Sequence, residues 1–134
     1  YDKIKQINFP KNVKVVPYVE KITRIMKKTD IIVTRAGAST LSEIIALKLP
    51  SIIIPSPYVP NNHQYKNALD LVNQNAAIMI EEKNLKGDIL VRTIDELLND
   101  KNKIKNIKNN LSKMQVNNSA TIIYDNIKKI IDRK

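Results

Sequence analysis

Three short apolar runs dominate the chain: Asp30-Ile31-Ile32-Val33-Thr34, Ser51-Ile52-Ile53-Ile54-Pro55, and Ala76 to Ile80. The middle run is apolar throughout, as a strand covered on both faces must be. The stretches between the runs have helical spacing. Thr40 to Leu49 puts Leu41, Ile44, Ile45 and Leu49 on one stripe, and residues 62–74 do the same with Ala68, Leu69, Leu71 and Val72. Strands alternating with helices of this length imply βαβ crossovers, and therefore an α/β fold with a parallel sheet covered by helices. Upstream, the β-branched Val13-Lys14-Val15-Val16, closed by Pro17, predicts another short strand, and Ile22, Ile25 and Met26 predict a helix over 20–28. Downstream, helices are predicted over 88–99, 101–114 and 119–132.

A chain of 134 residues with 43% apolar content can bury one core. With no Cys, a disulfide scaffold, a Cys-ligated zinc, an iron–sulfur cluster and a thiol nucleophile are excluded. A single His makes a His-based metal site untenable. Apolar runs of about five residues are far too short for a transmembrane helix or a signal peptide. The chain starts at Tyr1 rather than Met and is expected to be a piece of a longer protein. Its net charge of +10 points to an anionic partner. Most of that charge lies in residues 101–134, where nine basic residues face only Asp125 and Asp132. Such a tail reads as a solvated helix face or as attraction to an anionic membrane surface. Nucleic acid is disfavoured, because no aromatic residues interleave with the basic ones for base stacking.

In parallel α/β sheets, ligands gather beyond the carboxyl ends of the strands. The loop after strand 30–34 reads Arg35-Ala36-Gly37-Ala38-Ser39-Thr40-Leu41-Ser42-Glu43. One of only two glycines falls on this strand-to-helix turn, where positive φ and close ligand approach are possible. Small residues and the free N–H groups of a helix start then make an anion site suited to phosphate. It is neither a P-loop nor a dinucleotide fingerprint, since the further glycines and the Lys are missing. Thr40-x-x-Glu43 reads equally as a capping box, in which both side chains only tie off the helix start. Arg35 is either a phosphate partner or a surface residue.

The loop and helix after strand 51–55 read Pro57-Tyr58-Val59-Pro60-Asn61-Asn62-His63-Gln64-Tyr65-Lys66-Asn67-Ala68. His63, Gln64 and Asn67 fall near one helix face. Neutral amides there suit sugar hydroxyls, which both donate and accept.

Together, Val16-Pro17-Tyr18-Val19, Arg35-Ala36-Gly37-Ala38-x-Thr40-x-x-Glu43 and His63-Gln64-x-x-Asn67-Ala68 resemble the carboxyl-terminal half of the MurG family, in order and spacing over about residues 13–98. The resemblance implies a partial carboxyl-terminal domain of a GT-B glycosyltransferase, Rossmann-like, that binds the nucleotide-sugar. It implies a hexosyltransferase moving N-acetylglucosamine from UDP-GlcNAc to lipid I to form lipid II in bacterial peptidoglycan synthesis. Cell-wall biogenesis, cell shape and cell division would depend on it. By the same resemblance, Tyr18 and Val19 meet the uracil, and Ile22 lies near the base. Ala38, Ser39 and Thr40 contact the sugar and diphosphate, and Glu43 accepts from the ribose hydroxyls. Gln64 and Asn67 read the N-acetylglucosamine, with His63 beside them but not as a base. No metal or other cofactor is implied, and no catalytic residue is assigned.

The family's Gly-Gly-Ser loop and its amino-terminal acceptor domain have no counterpart here. Residues 1–12 look like the end of a helix and a loop. Residues 1–134 are therefore expected to be an incomplete donor-binding domain with basic helices over about 101–134, inactive as a transferase by itself. Lipid I would engage through the missing amino-terminal domain. The expected location is cytoplasmic, peripheral on the inner face of the cell membrane. Two alternatives keep the motifs: a stand-alone UDP-GlcNAc-binding subunit completed by a partner chain, and a non-catalytic nucleotide-sugar sensor.

Overall fold

A computed structural model of the chain describes residues 6–114. Its described elements are α1 (Ile22–Met26), β1 (Ile32–Thr34), α2 (Ala38–Leu47), β2 (Ser51–Ile53), α3 (His63–Asn73), β3 (Ile78–Met79), α4 (Ile89–Asn99) and a helix α5 over 101–114. One-turn 3-10 helices cover Pro60–Asn62 and Glu82–Asn84. The expected helix over 119–132 lies outside the described residues.

The strands form a parallel sheet in the order β1-β2-β3, with Ile32 opposite Ser51, Ile52 opposite Ile78, and Ile53 opposite Met79. Each adjacent pair is joined by a helix, as parallel pairing requires. The central strand is buried at every residue, which accounts for its unbroken apolar sequence. From α2, Leu41, Ile44 and Ile45 are buried against it, together with Ala68 and Leu71 of α3. Leu97 of α4 and Ile107 and Leu111 of α5 complete the core. Each buried Leu or Ile side chain among these contributes about 1.5–3 kcal/mol by leaving water. Along α4 the stripe Leu90, Ile94 and Leu97 packs inward, whereas Leu98 is exposed.

The strand expected at Val13–Val16 does not form. A turn closed by the Val13 N–H donating to the Pro10 carbonyl precedes it, and Val13, Val15 and Val16 are exposed. β-branched residues favour a strand only where a ladder partner and a packed face exist. Among the described residues nothing pairs with this segment, and β1 is an edge strand on its side away from β2. The helix over 20–28 contracts to Ile22–Met26, of which only Met26 is buried.

Helix α2 starts at Ala38, two residues before the expected Thr40. Its N-cap is Gly37, so Thr40 lies in the first turn rather than at the cap. The capping-box reading of Thr40 and Glu43 is thereby removed, since that motif requires the hydroxyl residue at the N-cap.

Candidate functional site

The carboxyl ends of β1 and β2 bring two of the sequence motifs together. Gly37 has φ −65° and ψ 141°, an extended conformation open to any residue, so the expected positive φ is not used. A Cβ built on Gly37 would meet nothing within 4 Å. The glycine therefore leaves bare backbone facing open space, a surface that a ligand can approach closely. The Leu41 N–H is the first to bond back, to the Gly37 carbonyl at 3.0 Å. No side chain caps the helix start, which leaves the N–H groups of Ala38, Ser39 and Thr40 as donors for an anion. Ala38 and Ser39 are exposed, and Thr40 and Glu43 are half-buried.

Gln64, near the start of α3, ties two loops together. Its Oε1 accepts from the Ser56 N–H at 2.8 Å and from the Ala36 N–H at 3.3 Å. Only the oxygen end of an amide can accept, so these two donors fix the orientation of the group. The Nε2 of Gln64 is left to donate elsewhere. One turn on, Asn67 Nδ2 donates to the Ala36 carbonyl at 3.4 Å, which leaves its Oδ1 as an acceptor. Ala36 is fully buried, so its N–H and carbonyl depend on these two side chains. The amides that the sequence offered as sugar readers thus also anchor the glycine loop, with the Gln64 Nε2 group and the Asn67 Oδ1 still available to a ligand.

Arg35 is not free at the loop. Its Nη1 forms an ion pair with Glu82 Oε2 at 2.8 Å and donates to the Ile54 carbonyl at 3.3 Å. It links the ends of β1 and β2 to the 3-10 turn that follows β3. Ser56 and Glu82 were not singled out in the sequence. The rule that led to the loops after strands 30–34 and 51–55 applies equally after 76–80, where Glu81 and Glu82 stand at the strand's carboxyl end.

The remaining expected residues are not gathered with these. Tyr18, 77% exposed, and Val19 lie on irregular backbone before α1, and Ile22 is exposed at its start. Among the described residues no hydrogen bond joins them to the Gly37 loop. His63 opens α3 on the surface. No group of three or more potential metal ligands occurs among the described residues.

Comparison with known proteins extends this picture. Residues 1–123 match the glycosyltransferase family 28 C-terminal domain. Two curated relatives carry the name UDP-N-acetylglucosamine–N-acetylmuramyl-(pentapeptide) pyrophosphoryl-undecaprenol N-acetylglucosamine transferase. The protein from Acetivibrio thermocellus is 43% identical over 98% of this chain, and one from Bacillus cereus is 39% identical over 98%. The chain spans 36% of the length of each of these relatives. Among solved structures, Acinetobacter baumannii MurG superposes with a TM-score of 0.68 at 24% identity, covering 87% of this chain and 33% of that one. The glycosyltransferase VinC, solved in complex with dTDP, superposes with a TM-score of 0.77 at 20% identity, covering 99% of this chain and 33% of its own. These likenesses assign the fold as the Rossmann-like, parallel-sheet half of a GT-B glycosyltransferase. The chain belongs to the family of glycosyltransferase family 28 C-terminal domains.

Proposed function

We propose that residues 1–134 form an incomplete donor-binding domain of a hexosyltransferase. That enzyme moves N-acetylglucosamine from UDP-GlcNAc to lipid I, the N-acetylmuramyl-(pentapeptide) pyrophosphoryl-undecaprenol acceptor, in peptidoglycan synthesis. The observation that carries this reading is the uncapped start of α2 at Gly37, with the side chains of Gln64 and Asn67 fastened to the same loop.

In this reading the N–H groups of Ala38, Ser39 and Thr40 hold the diphosphate. They offset the negative charge that grows on the departing UDP, and this needs no metal. Glu43, released from any capping role, accepts from the ribose hydroxyls. Gln64 Nε2 and Asn67 Oδ1 supply one donor group and one acceptor to the N-acetylglucosamine. Tyr18, Val19 and Ile22 close over the uracil, which requires the exposed segment before α1 to settle on the nucleotide. Arg35 serves by holding the loops and not by binding phosphate. Deprotonation of the acceptor hydroxyl falls to a group outside this chain, so the chain alone has no transferase activity.

No helix among the described residues is long and apolar enough to cross a membrane. The basic residues of α5, Lys101, Lys103, Lys105, Lys108 and Lys113, support peripheral contact with the anionic inner face of the cell membrane. A lipid acceptor fits such a location.

The test is the affinity for UDP-GlcNAc before and after Glu43→Ala. The variant is expected to keep its unfolding midpoint and to lose about tenfold in affinity, the loss typical of one charge-assisted hydrogen bond. Unchanged affinity would remove Glu43 from the site.

A further inference from the structure

A concavity opens beside the Gly37 loop, beyond the carboxyl ends of β2 and β3. It has a volume of about 500 Å³, and its wall includes Tyr58, Asn62, Tyr65, Glu81, Glu82 and Lys83. That volume lies within the range of small-ligand clefts. Two of its wall residues belong also to the clasp around the loop: Ser56 donates to Gln64, and Glu82 pairs with Arg35. The groove therefore shares a wall with the loop that Gln64 fastens.

The groove is built stiffly. Pro55, Pro57 and Pro60 restrict the loop that forms one wall, and the Ser56 hydroxyl accepts from the Tyr58 N–H at 3.4 Å. The turn into α3 runs through two consecutive left-handed residues, Asn61 at φ 56° and Asn62 at φ 57°. Asn tolerates that conformation better than most residues, but each costs free energy, and such strain collects at ligand clamps. Tyr58 is 83% exposed on this rigid loop.

We propose that this groove seats the N-acetylmuramyl sugar of the acceptor, an amide- and hydroxyl-bearing saccharide, against the donor loops. The proposal rests on the donor reading above. Tyr58 and Tyr65 offer flat apolar faces to a pyranose ring. Asn62 offers both a donor and an acceptor, and Glu81 accepts from hydroxyls. Glu81 lies 3.6 Å from the Lys83 ammonium and Glu82 is paired with Arg35, so the groove carries no excess positive charge for a diphosphate and does not duplicate the site at Gly37. The donor-binding domain would thus orient the acceptor as well as the donor, placing both sugars side by side.

The test uses the ¹⁵N-labelled chain and two probes in separate titrations. One probe is UDP-GlcNAc. The other is an uncharged acceptor fragment, the methyl glycoside of N-acetylmuramoyl methylamide. The fragment is expected to shift the amides of Ser56, Tyr58, Asn62, Tyr65, Glu81 and Glu82 saturably. Tyr58→Ala and Glu81→Gln should each weaken it, Tyr58→Ala by about tenfold, with the affinity for UDP-GlcNAc unchanged. No saturable shift at these residues, or unweakened, wild-type affinity in both variants, would overturn the proposal. If UDP-GlcNAc shifts residues 36–40 while the fragment shifts nothing, the groove proposal falls and the donor reading stands. If the fragment shifts the groove while UDP-GlcNAc shifts nothing, the groove stands as a saccharide site and the donor reading falls.

Discussion

Arg35 and Glu82 are 47 residues apart in sequence, yet their side chains meet at 2.8 Å. With its second bond to the Ile54 carbonyl, Arg35 spans the carboxyl ends of all three strands. The pair is partly exposed, at 52% for Arg35 and 31% for Glu82, so solvent screens it. Arg35→Ala is expected to lower stability by about 1 kcal/mol, combining a surface ion pair with one hydrogen bond. Glu82→Gln should cost less and should reduce the salt dependence of the unfolding midpoint. Urea unfolding at low and high salt measures both.

The Gln64 clasp separates a structural role from a binding role. Gln64→Ala leaves the Ala36 and Ser56 N–H groups without their acceptor, and Ala36 is fully buried. The expected loss is about 2–3 kcal/mol. Gln64→Glu keeps an acceptor for both N–H groups but removes the Nε2 donor. It should unfold near the native midpoint while binding UDP-GlcNAc more weakly. Paired denaturation and titration of the two variants check this, and equal behaviour of the two would count against the clasp.

Ser51 begins β2, is fully buried, and its hydroxyl finds no hydrogen-bond partner among the described residues. An unpaired buried hydroxyl is costly. Ser51→Ala should therefore raise stability by about 1 kcal/mol, measured by urea unfolding. A drop of similar size would mean that the hydroxyl is bonded in solution.

The sequence carried the layer pattern because each element's own period encodes it. The isoleucines of 51–55 and the stripe Leu41, Ile44 and Ile45 needed no partner to be recognised. Val13–Val16 failed for the complementary reason: local β-propensity cannot supply the neighbouring strand that a ladder requires. At the site, Gln64 and Asn67 were legible as amides on a helix face. Their bonds to Ala36, 28 and 31 residues away, were not, because residue spacing says nothing about which backbone atoms a fold brings near. Arg35 was visible as a charge, but its partner Glu82 follows β3, a strand end that the motifs did not mark. Gly37 was found for one of two reasons offered: its backbone is open to close approach, while its φ is ordinary.

In the proposed function, this chain binds a uridine nucleotide-sugar through the helix start at Gly37 and reads the sugar with Gln64 and Asn67. Calorimetric titration with UDP-GlcNAc, UDP-GalNAc and UDP tests it most directly. UDP-GlcNAc is expected to bind most tightly, with weaker binding of UDP-GalNAc, whose 4-hydroxyl is inverted, and of UDP, which lacks the sugar. Equal affinity for all three, or no binding of any, would contradict it.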